Sequence, residues 1–142
     1  MKTHQLEGSV KSINDKVRFE CSVEVQPPIF VDYIPPFGGG EGYTSLELLL
    51  LSLATCFGSS IKFLLARKPQ VKVASFEVHA SGLRRTDHPT SFSKIILQVK
   101  LQATELPSDS LEEVLRQAEA ICPVWDMLKN NVEIHREYQL LG

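Results

Sequence analysis

Hydrophobic and polar residues alternate along much of the chain, and this period of two is typical of half-buried strands. Turn residues such as Asn14-Asp15 and Pro27-Pro28 break the alternation. The pattern therefore predicts strands over residues 6–13, 17–25 and 29–33, with the first two forming a hairpin. Later runs predict a long hairpin over residues 71–83 and 91–104, and a last strand over residues 132–140.

Helical signals separate these strands. Thr44 and Glu47 have the spacing of a capping box at the start of an apolar run, which predicts a helix to about Lys68. Ser108 or Ser110 can cap a second helix to about residue 120, and Pro123 suits the start of a short third helix over residues 124–129. Because neighbouring strands are mostly joined by hairpins, we expect one α+β domain over residues 1–142 with an antiparallel sheet.

Apolar side chains point in nearly every direction from the first predicted helix, so it has no polar face wide enough to meet water. One sheet of the same chain covers one side of such a helix well. We expect the other side to meet the same helix of a second copy, because symmetric dimers are the commonest oligomers. Complete wrapping by the chain's own sheet and second helix is the alternative.

The composition of the chain argues against nucleic acids and membranes as binding partners. The chain has 15 Lys and Arg against 17 Asp and Glu, whereas proteins that bind nucleic acids or anionic membranes usually carry clustered basic residues. No uninterrupted apolar stretch reaches the roughly 20 residues of a membrane span. The first 16 residues lack the apolar segment of a signal peptide. We therefore expect a cytoplasmic protein that binds neither nucleic acid nor membranes, with its thiols reduced.

Three cysteines are the main candidates for chemistry, and their wide spacing does not match a disulfide scaffold or a CxxC zinc site. Cys56 lies within the first predicted helix beside small residues that leave room for a substrate, although cysteines commonly serve as small buried apolar groups. Cys122 precedes the third predicted helix, where amide dipoles lower the pKa of a thiol, or it is an apolar plug. Cys21 lies in an alternating strand and is interpreted as structural. The scattered histidines indicate no metal site.

Two motifs in the right order give the chain a resemblance to a known family. A glycine-rich loop over residues 38–42 precedes SLELLLLSLATC over residues 45–56, and ICPV at 121–124 is followed by NVEI at 131–134. These motifs resemble the OsmC/Ohr family of organic hydroperoxide reductases. The resemblance implies antiparallel sheets packed around the long central helices of an intertwined homodimer. It also implies a thiol peroxidase without metal or cofactor, which uses a small-molecule hydroperoxide and a dithiol reductant.

In that scheme Cys56 is the peroxidatic cysteine, Cys122 is the resolving cysteine, and Arg18 stabilises the Cys56 thiolate. Glu47 resembles the family carboxylate that orients the arginine, but it precedes Cys56 by nine residues where many relatives have ten. Nine helical residues place Glu47 opposite Cys56 and about 13.5 Å along the axis, so it would act across the dimer or through Arg18. Its capping role explains it equally well. Position alone favours Cys122 as the more acidic thiol, whereas the resemblance makes Cys56 the attacking one, and we follow the resemblance.

Two other functions fit the same residues. The chain could form a dimeric binding module for an apolar or thiol ligand, with its cysteines incidental or in contact with that ligand. It could also be a redox sensor whose disulfide changes partner binding without turnover. Two thiols at the motif positions favour the peroxidase and the sensor over the binding module.

Overall fold

The computed structural model describes residues 5–142. It contains two compact units, Met1–Leu49 and Leu50–Gly142, and each has a three-stranded sheet. The elements in chain order are β1 (Ser9–Ser12), β2 (Phe19–Ser22), β3 (Ile29–Val31), α1 (Ser45–Leu65), β4 (Lys72–Arg84), β5 (Phe92–Thr104), α2 (Ser108–Ile121), α3 (Pro123–Leu128) and β6 (Glu133–Leu141).

The sheet of the first unit is antiparallel, in the order β1-β2-β3, and the predicted hairpin of β1 and β2 is confirmed. Both strands are shorter than predicted. The side chain of Asn14 accepts hydrogen bonds from the amides of Lys16 and Arg18 at 3.0 and 3.2 Å. These hydrogen bonds form a turn, so residues 14–18 are not strand residues of the β1–β2 hairpin. The reason is that an Asn side chain competes with strand pairing for local amides.

The start of α1 is a capping box, as the sequence predicts. The Thr44 amide donates to Glu47 Oε1 at 2.9 Å, and the Glu47 amide donates to Thr44 Oγ1 at 3.3 Å. The two hydrogen bonds satisfy amides that a helix start otherwise leaves unpaired. The regular helix ends at Leu65, three residues before the predicted end.

The sheet of the second unit is mixed, which differs from the expected antiparallel sheet. Its strand order is β4-β5-β6; β4 and β5 form the predicted long antiparallel hairpin, but β6 pairs with β5 in parallel. The antiparallel prediction is therefore wrong for β6. The cause is the connection, because α2 and α3 form a crossover that returns the chain to the same end of the sheet.

One face of the second sheet carries the core. Alternate residues of β5, including Ile95, Leu97 and Val99, are almost fully buried. Gly58 of α1 brings the helix backbone close to the side chains of Phe76 and Val78 on β4, since a Cβ at Gly58 would lie 3.4 Å from each. The helix thus lies directly on this sheet.

Helix α2 is tied to β6 by charge. Arg136 Nη1 donates to Glu112 Oε2 at 2.8 Å and Arg136 Nε donates to Glu119. The N-cap of α2 is Pro107, which makes no side-chain capping bond, so the prediction of a Ser108 or Ser110 cap is wrong. The helix starts one residue early because the amide of Leu111 already bonds the carbonyl of Pro107.

Helix α1 buries one face, and its exposed face carries the polar Ser52, Thr55, Ser59 and Lys62 as well as two large apolar side chains, so the expectation that it has no polar face is wrong. Leu53, Phe57 and Ile61 are fully buried, whereas Leu51 and Phe63 are 46% and 57% exposed. The helix is long enough, and with a mean hydropathy of 1.9 apolar enough, to cross a membrane. Its fully buried side chains are also those expected of the core helix of a folded protein. The expectations of a second copy on the exposed face and of no membrane contact stay predictions.

Candidate active site

Cys56 and Cys122 are neighbours within the second unit. Cys56 lies in α1 and is half-buried, and Cys122 lies between α2 and α3 with 1% of its surface exposed. Both cysteines are free, and Cys56 is near enough to raise the pKa of Cys122. Two cysteines that are 66 positions apart in the sequence therefore become neighbours in the fold.

Local backbone chemistry fixes the position of the Cys122 sulfur. Pro123 occupies the first position of α3, as the sequence predicts, and a residue before proline is restricted to extended backbone. Cys122 accordingly has φ −84° and ψ 110° and becomes the N-cap of α3. Its Sγ accepts a hydrogen bond from the Trp125 amide at 3.4 Å. The sequence placed Cys122 at the start of this helix, and the structure adds that its side chain is the cap.

The acidity expected for Cys122 from its position is wrong. Its pKa rises from 9.0 to about 11, first because the thiol is buried and then because of the neighbouring Cys56 side chain. The amides of Trp125 and Val124 lower the pKa, but they do not offset these effects. The sequence analysis weighed the helix start and could not include the desolvation of a buried sulfur.

The thiols lie in apolar surroundings. Phe57 is fully buried and Trp125 is 7% exposed, and their ring centroids are 5.1 Å apart. Ser60 does not bring a hydroxyl to the cysteine sulfur, since its Oγ donates to the Cys56 carbonyl at 2.9 Å. Both rings are core residues. Phe57 directly follows Cys56 in the sequence, and Trp125 comes three residues after Cys122.

Arg18 belongs to the first unit and directly precedes β2. Its Nη1 lies 3.3 Å from Glu41 Oε2, and its guanidinium lies 4.8 Å from the centroid of the Phe30 ring. Within residues 5–142, no hydrogen-bond partner reaches the buried Nε of Arg18. A stacked guanidinium with a free donor can bind an oxygen or a thiolate without breaking an existing bond at that nitrogen.

Asp32 is a buried residue of the first unit that the sequence analysis missed. Its carboxylate accepts hydrogen bonds from the amides of Tyr33, Gly39 and Glu41 at 2.7, 3.2 and 3.1 Å. The Tyr33 bond, followed by those from Glu41 and Gly39, lowers the pKa of Asp32 against the opposing effect of burial. Asp32 thereby fixes the glycine-rich loop and the residue that pairs with Arg18. The sequence signal was an acidic residue just before a loop rich in glycine.

Glu47 uses its carboxylate in the capping box, and the ion-pair partner of Arg18 is Glu41. Arg18 and Glu47 lie in the first unit and both thiols lie in the second. The parts played by Arg18 and Glu47 in the chemistry stay predictions. Among residues 5–142, no group of three or more His, Cys, Asp or Glu side chains is arranged to hold a metal ion.

Comparison with known proteins identifies the family. The model of the family described as OsmC-like protein matches residues 38–137. The Peroxiredoxin OsmC of Shigella flexneri is 25% identical over 134 residues, which cover 94% of this chain and 91% of that protein. The crystal structure of an OsmC-like protein from Mycoplasma pneumoniae has a TM-score of 0.84 at 17% identity, covering 99% of this chain and 100% of the other. The organic hydroperoxide resistance protein OhrB of Bacillus subtilis has a TM-score of 0.64 at 15% identity, covering 97% and 100%. These structures share the α+β fold, and because the family model spans most of its length, the chain belongs to the OsmC-like protein family.

Proposed function

We propose that this protein is a thiol-dependent peroxidase that reduces organic hydroperoxides through a Cys56 sulfenic acid and a Cys56–Cys122 disulfide. The observation that carries the proposal is that Cys56 is a close neighbour of the buried Cys122 and raises its pKa. Family membership supports a redox enzyme, because relatives are named as a peroxiredoxin and as an organic hydroperoxide resistance protein.

The proposed cycle has three steps. The Cys56 thiolate attacks the distal oxygen of the hydroperoxide, so that an S–O bond forms, the O–O bond breaks, and the remaining oxygen takes a proton and leaves as an alcohol. The Cys122 sulfur then attacks the sulfenic sulfur of Cys56, and water leaves as the disulfide forms. An external dithiol restores both cysteines by exchange and is itself oxidised to a disulfide.

The surroundings of the thiols favour an organic substrate over hydrogen peroxide. Cys56 is half-buried, and the buried rings of Phe57 and Trp125, which are close to the two cysteines in the sequence, pack against each other to form an apolar surface. An alkyl group gains free energy when it leaves water for such a surface, and hydrogen peroxide has no alkyl group.

Arg18 is the cation that we propose to stabilise the Cys56 thiolate and polarise the peroxide, with Glu47 in support. The resemblance assigns these roles, and the Nε of Arg18, which has no hydrogen-bond partner among residues 5–142, is consistent with them. An Arg18→Lys variant keeps the charge but loses the planar set of donors, and an Arg18→Met variant loses both. We expect peroxide turnover to fall in both variants and further in Arg18→Met. The Thr44→Val variant separates the two roles of Glu47, because it removes the Thr44 hydroxyl from the capping box and keeps the Glu47 carboxylate.

We further propose that the active form is a cytoplasmic homodimer. The support is that two large apolar side chains of α1, Leu51 and Phe63, are about half in contact with water at the edges of its exposed face. Apolar side chains exposed in this way favour burial against another surface. Sedimentation equilibrium measures the mass, and a monomer at the concentrations that support turnover would contradict the dimer.

The deciding experiment is the steady-state consumption of cumene hydroperoxide with dihydrolipoamide or dithiothreitol as reductant. We expect continued turnover by the unmodified protein, none by Cys56→Ser, and about one equivalent per subunit by Cys122→Ser. Cys21→Ser is the matched control, since Cys21 is a half-buried cysteine of the first unit, and it should retain turnover. Consumption that stops at one equivalent per subunit in the unmodified protein would instead indicate a sensor or a binding module.

The order of attack has its own test. After one equivalent of peroxide, mass spectrometry should find the sulfenic acid on Cys56 in the Cys122→Ser protein. Sulfenic acid on Cys122 in the Cys56→Ser protein, with none in Cys122→Ser, would reverse the assigned roles.

A further inference from the structure

We propose that Asp32 is a positioning residue for Arg18: acting through Glu41, it holds the guanidinium in place and keeps Arg18 Nε available as a donor. The contacts that carry this inference lie within the first unit. Its consequence for catalysis rests on the proposed function, in which Arg18 stabilises the Cys56 thiolate.

The orientation of Arg18 requires an explanation, because it leaves a buried donor unsatisfied. Within residues 5–142, no hydrogen-bond partner reaches the buried Nε. Such a donor costs free energy, and an unrestrained arginine would turn this nitrogen towards water or an acceptor. Neighbouring groups must therefore hold the guanidinium in this orientation.

Two side chains restrain the guanidinium directly. The Phe30 ring lies 4.8 Å from it and restrains its plane, and Glu41 Oε2 lies 3.3 Å from Nη1 and restrains its direction. Because Glu41 pairs with a terminal nitrogen, it leaves Nε unoccupied. The Glu41 side chain is 67% exposed, and an exposed ion pair by itself holds a side chain weakly. The position of the Glu41 backbone therefore decides where its carboxylate can reach.

Asp32 fixes the Glu41 backbone. Asp32 is 2% exposed, and its Oδ2 accepts hydrogen bonds from the amides of Gly39 and Glu41 at 3.2 and 3.1 Å. Hydrogen bonds to a buried carboxylate are stronger than those between neutral or exposed groups. The loop also lies close against this carboxylate, since a Cβ at Gly38 would be 2.4 Å from Asp32 Oδ1. Asp32 thus holds the backbone of the residue whose side chain pairs with Arg18.

Asp32 also attracts Arg18 without occupying its donors. Phe19 and Val31 are the terminal pair of the β2–β3 ladder, so Arg18 and Asp32, one residue beyond them, lie at the same end of it. Among residues 5–142, Arg18 forms its ion pair with Glu41 and not with Asp32. The Asp32 oxygens instead accept the amides of the loop. The charge of Arg18 contributes to the lowered pKa of Asp32, so the attraction between the two side chains is mutual.

The test follows the Arg18 side chain by NMR in protein made with isotope-labelled arginine. The heteronuclear NOE of the Arg18 Nε–H group measures how rigidly the side chain is held, and Arg18→Lys identifies the signal by its loss. Asp32→Asn keeps the shape of the side chain but removes its charge and replaces one acceptor oxygen with an amino group. Glu24→Gln is the matched control, since it removes an exposed carboxylate from the same unit.

We expect the NOE of a rigid side chain for Arg18 in the unmodified protein and in Glu24→Gln, and a clear loss of this NOE in Asp32→Asn. A purely structural role for Asp32 would change the backbone amide signals of the loop and leave the Arg18 side-chain signal as it was. An unchanged Arg18 NOE in Asp32→Asn, once circular dichroism shows that this variant is folded, would overturn the proposal.

Glu41→Gln covers the case in which Asp32→Asn does not fold. Glu41 is exposed, and the variant keeps the backbone amide that Asp32 accepts while it removes the charge that pairs with Arg18. We expect the Arg18 NOE to fall in this variant as well. Because Asp32 acts through Glu41 in this proposal, an unchanged NOE in Glu41→Gln would also overturn it.

Peroxide turnover tests the catalytic consequence. With cumene hydroperoxide, we expect Asp32→Asn to lower kcat/KM about threefold to tenfold, the range of one net hydrogen bond, and to cause no further loss in an Arg18→Met background. An equal loss in both backgrounds would show that Asp32 affects turnover independently of Arg18 and would overturn the positioning role. The NMR measurement uses no peroxide, so the expected NOE changes together with no turnover by the unmodified protein would reject the proposed function and leave the positioning of Arg18 standing.

Discussion

The raised pKa of Cys122 predicts a specific loss of stability in alkaline solution. Burial, followed by the neighbouring Cys56 side chain, raises this pKa from 9.0 to about 11. A rise of this size corresponds to about 3 kcal/mol of unfolding free energy. Because the folded pKa is the higher one, the contribution is complete below about pH 9. It is lost towards pH 11, since the unfolded chain releases the proton first.

The assay is urea unfolding under reducing conditions at a series of pH values across this range, for the unmodified protein and Cys122→Ala. Lysine and tyrosine titrate in both proteins, so the difference between the two pH dependences isolates the Cys122 thiol. We expect that difference to approach about 3 kcal/mol, the free energy of the pKa rise. Cys21→Ser should follow the unmodified protein.

Two results would refute this reasoning. Parallel pH dependences for the unmodified protein and Cys122→Ala would mean that Cys122 ionises equally in the folded and unfolded chains. Thiolate absorbance that assigns Cys122 a pKa below 9.0 would mean that the α3 amides outweigh burial. In Cys56→Ser we expect the pKa of Cys122 to fall but to stay above 9.0, because burial is the largest cause and remains.

Three further substitutions test the structure. Arg136→Met should lower the unfolding free energy by about 1 to 3 kcal/mol in urea, because it leaves a partly buried Glu119 unpaired, whereas an unchanged midpoint would show that the ion pair adds no stability. Gly38→Ala should lower the melting temperature in calorimetry, because its Cβ would lie 2.2 Å from the Tyr33 carbonyl oxygen, and the matched Gly39→Ala, with its nearest atom at 3.5 Å, should change it little. Asp32→Asn should lower the melting temperature at neutral pH and converge with the unmodified protein in acid. The lowered pKa of Asp32 means that its contribution is present above 3.8 and is lost as pH falls through the folded value, so a constant gap down to strong acid would contradict it.

The elements predictable from the sequence are those that local chemistry decides. The capping box of Thr44 and Glu47 and the proline at the start of α3 need only near neighbours in the chain, and both occur as predicted. The parallel direction of β6 depends on where a crossover of two helices returns the chain. Residue patterns within the strand carry no information about that direction.

The residues of the candidate site also divide into those that the sequence indicates and those that depend on the folded structure. Motif resemblance selected Cys56 and Cys122, and their proximity depends on tertiary packing that a spacing of 66 residues does not reveal. The acidity of Cys122 was misjudged because burial is a property of the folded unit. Asp32 was missed because its three amide donors come from a loop with no regular pattern.

The helical crossover before β6 implies an order in which the strands of the second unit pair during folding. β4 and β5 are neighbours in the chain and can pair outward from their turn, whereas β6 reaches β5 only after the intervening helices have closed a long loop. During that interval β5, whose inward side chains are almost fully buried in the finished protein, has one edge without a partner. Slow formation of α2 would therefore prolong the time in which newly made chains can associate through β5 and aggregate.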